Sequence, residues 1–299
     1  MIETSFTRMF GCAYPLQMAG MGGYSTPALA IAVSKAGGLG MLSGIVRAAD
    51  LASQLDGVPD DTIVAVNFLL PFLDPASVEL AARRAALVEF FWGEPSSDLV
   101  DAARANGARV GWQVGSLGEA KAAVDVGCDV VVAQGVEAGG HVRGTTPLLA
   151  LLEQIRPAID VPLVAAGGIG TAPDVAAALG AGADAVRVGT RLLAATESVA
   201  HPDYIDTLIG AGADDTVITT AFGVGWPDAP HRVLKSCIEA GEARGADQAW
   251  TPNWPQVTDS GDVSAFALYA GTSVDAVHAR QSAAEIVAEL MGGGGPVVG

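Results

Sequence analysis

Short apolar runs alternate along the chain with longer, alanine-rich helical stretches. Runs at 15–19, 39–43, 62–67, 86–92, 109–115, 130–134, 162–166 and 185–189 read as eight strands. Most start roughly 20 to 30 residues apart, the length a strand and its crossover helix require, so the pattern predicts an α/β fold, a closed (β/α)8 TIM barrel rather than an open sheet. The last three runs are mostly apolar and each finishes at or just before glycine, as expected of parallel strands buried on both faces. Gly37, Gly107, Gly127 and Gly182 each stand between a helical stretch and the next strand, where C-cap glycines belong. Ser25-Thr26-Pro27, Ser116 with Glu119, Thr145-Thr146-Pro147 and Thr171-Ala172-Pro173-Asp174 carry helix-start signals.

After Thr190 the pattern changes. Residues 197–262 are rich in Pro, Trp and polar side chains and read as a small, mainly helical or irregular subdomain over the barrel mouth. The barrel then comprises 1–196 and 263–299, with a final helix running to Met291 and a frayed tail over 292–299.

Composition narrows the function. Half of the 299 residues are hydrophobic, enough for one large core, and the mean hydropathy of +0.39 reflects that core rather than a membrane span. A net charge of −17 repels nucleic acid phosphates and anionic lipid, so neither is an expected partner. Cys12, Cys128 and Cys237 lack CxxC or Cys/His spacing, which argues against a disulfide framework and against a metal site. With no apolar leader at the N-terminus, the expected location is cytoplasmic. The oligomeric state is left open, a homo-oligomer included.

Candidate chemistry gathers at the strand ends, where such barrels place their sites. Gly167-Gly168 and Gly189-Thr190 follow the last two runs, the usual place for a phosphate cradle built from backbone amides and a hydroxyl. Gly139 and Gly140 give a ligand similar backbone access after the sixth run and deliver His141, which can titrate near neutrality as a base. Gln17, Asn67, Gln113 and Gln134, with Glu137, form an amide-rich mouth able to meet the alternating donors and acceptors of an isoalloxazine edge. Phe222, Trp226 and Tyr269 are candidates for a lid, and His201, His231 and His278 lie in the appended region.

These motifs carry a family resemblance. Glu137-Ala138-Gly139-Gly140-His141, Ala165-Ala166-Gly167-Gly168-Ile169 and Val188-Gly189-Thr190-Arg191, with Asn67, Pro71 and the stretch from Ser25 to Gly40, resemble the FMN-dependent nitronate monooxygenases, formerly 2-nitropropane dioxygenases. The resemblance implies FMN, its phosphate on Gly167, Gly168, Gly189 and Thr190 and its ring near Asn67, Gln113 and Gln134. It also implies His141 as catalytic base and oxidation of alkyl nitronates by O2 to a carbonyl compound and nitrite. Two departures stand out: Gln17-Met18-Ala19-Gly20 lacks the proline many members carry, and Val142 separates His141 from Arg143. The same motifs occur in FMN-dependent enoyl-thioester reductases, so an NAD(P)H-driven reduction of an α,β-unsaturated thioester or ketone is the alternative, with Arg143, Arg191 and Arg232 as candidate phosphate contacts. A non-redox phosphate-binding barrel and a non-catalytic flavin-binding protein are more distant readings.

Overall fold

The computed structural model describes residues 2–245 and 250–293. Its strands are β1 (Leu16–Met18), β2 (Gly40–Ser43), β3 (Val64–Leu69), β4 (Leu87–Phe91), β5 (Arg109–Val114), β6 (Val130–Gln134), β7 (Gly140–His141), β8 (Leu163–Ala166), β9 (Ala185–Val188), β10 (Thr216–Thr219) and β11 (His231–Leu234). Eight of them, all but β7, β10 and β11, are the eight predicted runs, and they pair in parallel in the order β1-β9-β8-β6-β5-β4-β3-β2. A parallel bridge between Gln17 and Leu39 joins the two ends, with the Met18 N–H donating to Leu39 O at 2.9 Å. The sheet is thereby a (β/α)8 barrel without a free edge.

Helices cover the outside for local reasons. Thr26 caps helix Pro27–Lys35, with proline in its first turn, and Thr171 and Asp174 form a reciprocal capping box on helix Ala172–Gly180. Ser116 accepts from the Glu119 N–H as expected, while the Glu119 carboxylate takes the Gly115 N–H. Helix Leu148–Ile155 buries Leu148, Leu151, Leu152 and Ile155, the spacing of one helical face, and each such leucine contributes about 1.5–3 kcal/mol by leaving water. The four joint glycines at 37, 107, 127 and 182 all have φ between 95° and 99°, which a side chain would resist.

The layer over the mouth is less helical than its sequence suggests. It contains helices Pro202–Ile209 and Lys235–Ala243, but also β10 and β11, which form an antiparallel sheet with β7 of the barrel loop. It has its own core, including Tyr204, Leu208, Phe222 and Val233, and draws on Tyr24 near the N-terminus and on Leu268, Val274 and Val277 beyond residue 262. Helix Ala283–Leu290 buries its apolar face in the barrel's main core. Of the tail expected to fray, 294–299 lie outside the described residues. Among the described residues no helix is long and apolar enough to cross a membrane, and no cluster of side chains suits a metal ion.

Candidate active site

A cavity of about 380 Å³ opens at the C-terminal ends of the barrel strands, between the mouth and the overlying layer. Its upper walls are apolar, with Phe72, Phe91, Phe222, Trp226 and Trp254 among them, and its floor is made of polar side chains from the strands.

The floor is organised by a buried ion pair that sequence reasoning did not single out. Glu89 on β4 is fully buried, and the Arg187 guanidinium on β9 donates to its Oε2. Register explains the gathering: Arg187 lies beside Gln17 on β1, and Glu89 beside Asn67 on β3. Asn67 Nδ2 donates to Glu89 Oε1 at 2.8 Å, and Gln113 Oε1 accepts from Arg187 Nη1. A carboxylate only accepts and a guanidinium only donates, so both amides are oriented by chemistry. Asn67 keeps Oδ1 and Gln113 keeps Nε2 for the cavity they line, one acceptor and one donor. Removing one partner of such a pair costs about 3–5 kcal/mol through the uncompensated charge left behind.

Gln17 departs from expectation. It is fully buried and does not line the cavity: Oε1 accepts from Arg187 at 2.9 Å and Nε2 donates to Glu89 at 3.3 Å. Both ends of its amide are engaged one layer below the mouth, so it supports the floor and does not face a ligand.

The other predicted cofactor residues and His141 all line the cavity. Gly167, Gly168, Gly189 and Thr190 all line it. Gly167 and Gly168 have φ of 115° and 69°, and a Cβ on Gly167 would come within 3.1 Å of Ala138 N and Gly135 O. Gly167 is thus packed against the histidine loop where no side chain fits, and the backbone exposed at these glycines could meet a phosphate. The Thr190 hydroxyl oxygen accepts the Gly271 N–H at 3.0 Å, tying the cradle to the C-terminal segment and leaving its own O–H to donate. Gln134 lines the cavity while fixing the histidine loop, donating to His141 O at 2.9 Å and accepting from the Arg143 N–H at 3.2 Å. Gly139 allows that loop to lie against the backbone of Ala270 and Gly271, since a Cβ there would sit 2.4 Å from Gly271 N. Glu137 serves a structural end, both carboxylate oxygens accepting the Leu148 N–H at the start of helix Leu148–Ile155.

His141 sits in an aromatic box. Trp226 stacks on it with centroids 4.1 Å apart, and Trp92, His231 and Tyr269 approach at 5.6, 5.3 and 5.9 Å. Burial, reinforced by His231, pushes its pKa down from 6.5 to about 3, so the imidazole is neutral near pH 7. His231 is its cross-strand partner, with its own pKa lowered by burial and Nδ1 2.9 Å from Ala229 O. A carbonyl only accepts, so the proton is on Nδ1 and the buried Nε2 has no partner. His201 caps helix Pro202–Ile209, His278 is exposed, and neither lines the cavity. The lid candidates Phe222, Trp226 and Tyr269 do line it. Trp92, missed in the sequence, closes the far side of the box with a left-handed backbone at φ 67°.

Comparison with known proteins agrees with this fold. The family described as nitronate monooxygenase matches residues 3–62 and 61–293. A nitronate monooxygenase of Pseudomonas aeruginosa is 34% identical, over 73% of this chain and 76% of that protein. An octahydroindene carboxyl-CoA dehydrogenase of Rhodococcus jostii is 32% identical over 79% of this chain, which spans 66% of that protein's length. Among solved structures, FabK from Thermotoga maritima superposes with a TM-score of 0.84 at 28% identity, covering 97% of this chain and 96% of that one. A nitroalkane oxidase from Streptomyces ansochromogenes gives 0.81 at 29% identity, covering 96% of each. With the barrel, the glycine cradle and the histidine all in place, the chain belongs to the nitronate monooxygenase family of flavin-dependent oxidoreductases.

Proposed function

We propose that the protein binds FMN in the cavity and oxidises alkyl nitronates with O2 to a carbonyl compound and nitrite. When bound, FMN supplies the redox chemistry, accepting electrons from the nitronate that O2 finally takes. The residues fit the cofactor: the cradle of Gly167, Gly168, Gly189 and Thr190 suits its phosphate, and the oriented amides of Asn67 and Gln113 suit the N–H and C=O groups of its ring edge. Gln134 fixes the histidine loop, and Gln134, Gly139 and Gly140 would border the ring from that side.

His141 handles the substrate proton. Neutral at pH 7, it can accept the α-proton of a nitroalkane once the negative charge developing on the nitronate beside it raises its depressed proton affinity. For a nitronate already formed, the anion draws a proton onto the ring and is then held by the resulting imidazolium. The apolar walls exclude water and leave the alkyl part of the substrate in contact with Phe72, Phe222 and Trp226.

The commitment of the candidate arginines carries this reading over a CoA- or NAD(P)H-dependent one. Arg143 pairs with Glu94 and Glu119, and Arg191 with Glu289 and Ala276 O; the Nη groups of Arg232 donate to Thr216 Oγ1 and Val136 O. Each would have to leave a partner to meet a phosphate, in a chain of net charge −17. The likeness to the CoA dehydrogenase and to FabK favours the second reading, reduction of an α,β-unsaturated thioester or ketone. Anaerobic stopped-flow absorbance separates them: the proposal expects rapid flavin absorbance changes with a nitronate and none with NADH or NADPH. Fast, complete bleaching by NAD(P)H would replace it with the reductase reading.

A further inference from the structure

Glu89 and Arg187 take no part in moving the substrate proton, yet they are a pair of charges set inside a barrel whose other interior residues are mostly apolar. Desolvating two charges is costly, and well-packed apolar residues often serve stability as well or better. The pair is also oriented. Arg187 lines the cavity and Glu89 does not, so the positive end faces the ligand with the carboxylate behind it. Among the described lining residues Arg187 is the only Arg, Lys, Asp or Glu, and His141 is neutral.

We infer that the Glu89–Arg187 pair sets the redox poise of the bound flavin, a role that rests on the cofactor reading above. Reduction adds negative charge to the ring. A guanidinium at the floor of a water-poor cavity favours that electron-rich state, and charge near the ring is the protein's lever on its electronics. Glu89 offsets part of the positive potential. The two side chains therefore pull the midpoint potential in opposite directions, Arg187 upward and Glu89 downward. Both also hold the amides of Gln113 and Asn67, so a purely structural role would disturb the ring site in the same sense whichever partner is removed.

Spectroelectrochemical titration of the purified flavoprotein tests this in the native chain, E89Q, R187Q and the double variant. E89Q is expected to move the oxidised-to-reduced equilibrium at least tenfold toward reduced, about 30 mV upward for a two-electron couple. R187Q is expected to move it at least tenfold the other way, and the double variant to return to within about threefold of the native value. Shifts of the same sign in both single variants, or no shift beyond about threefold in either, overturn the inference. If E89Q does not fold, R187Q decides alone, since a potential that fails to fall removes the role of the guanidinium. Fluorescence titration of the native apoprotein with FMN is the separate control. Absence of binding there overturns the cofactor reading and the inference with it, whereas normal binding with unshifted potentials overturns the inference only.

Discussion

Uncovering His141 is the most informative perturbation. Holding its pKa at about 3 rather than 6.5 disfavours the imidazolium by roughly 5 kcal/mol, at about 1.36 kcal/mol per pH unit. The main cause is burial, and the indole of Trp226, stacked at 4.1 Å, is the element of that burial carried by the half-buried loop above the mouth. Trp226→Ala is expected to raise the pKa by at least one unit, recovering about 1.4 kcal/mol, while Trp92, Tyr269 and His231 keep it below the ordinary value. The sign for stability follows from linkage. The unfolded chain takes up the proton near 6.5 and the folded chain only near 3, so folding is penalised increasingly as pH falls through that window, by about 2 kcal/mol from this residue at pH 5. His231, also depressed by burial, adds in the same direction. NMR titration of the imidazole C–H signals between pH 3 and 8 reads the effect directly, with H141Q assigning one of only four histidines. A native His141 titrating near 6.5, or a Trp226→Ala protein with an unmoved titration, would refute the account of burial.

Other expected outcomes concern the proton, the floor and the helix behind the cradle. His141→Ala should lower nitronate-dependent oxygen uptake by about 10²–10⁴-fold with flavin absorbance retained, and an unchanged rate removes the base assignment. Gly20→Ala places a Cβ 2.5 Å from Asn67 Oδ1 and 2.8 Å from its Cβ, so the amide must leave its position; FMN affinity should fall at least tenfold while the far-UV circular dichroism is kept, and unaltered affinity would exclude Asn67 as a ring contact. Glu137→Ala removes the carboxylate that accepts the Leu148 N–H and should cost about 0.5–2 kcal/mol in urea unfolding, a loss absent if water replaces the cap.

The barrel was legible because every strand is an apolar run, and four of the eight are also announced by the glycine that ends the preceding helix, at 37, 107, 127 and 182. That Gly167, Gly168, Gly189, Thr190 and His141 would gather at one cavity was legible from glycines placed at strand ends. Gln17 misled because a strand-end amide does not reveal its depth. Its partners decide the outcome: Arg187 and Glu89 occupy both ends of the Gln17 amide, whereas Asn67 keeps Oδ1 for the cavity. Glu89 and Arg187 stayed hidden because their pairing joins strands 98 positions apart, and a charge inside an apolar run says nothing of its partner. The sheet of β7, β10 and β11 escaped because two- and four-residue strands bear no periodicity that separates them from loop.

The attachment of His141 has a consequence for engineering. It stands on β7, which leaves the barrel loop to pair with β11 of the overlying layer, His141 opposite His231. The glycines at 167, 168 and 189 belong to the barrel, whereas His141 pairs with the cap, which also supplies Phe222 and Trp226 to the cavity wall. Under the proposed function, a graft exchanging the cap of one relative for another, including β7, is expected to alter reaction preference while leaving the barrel glycines in place.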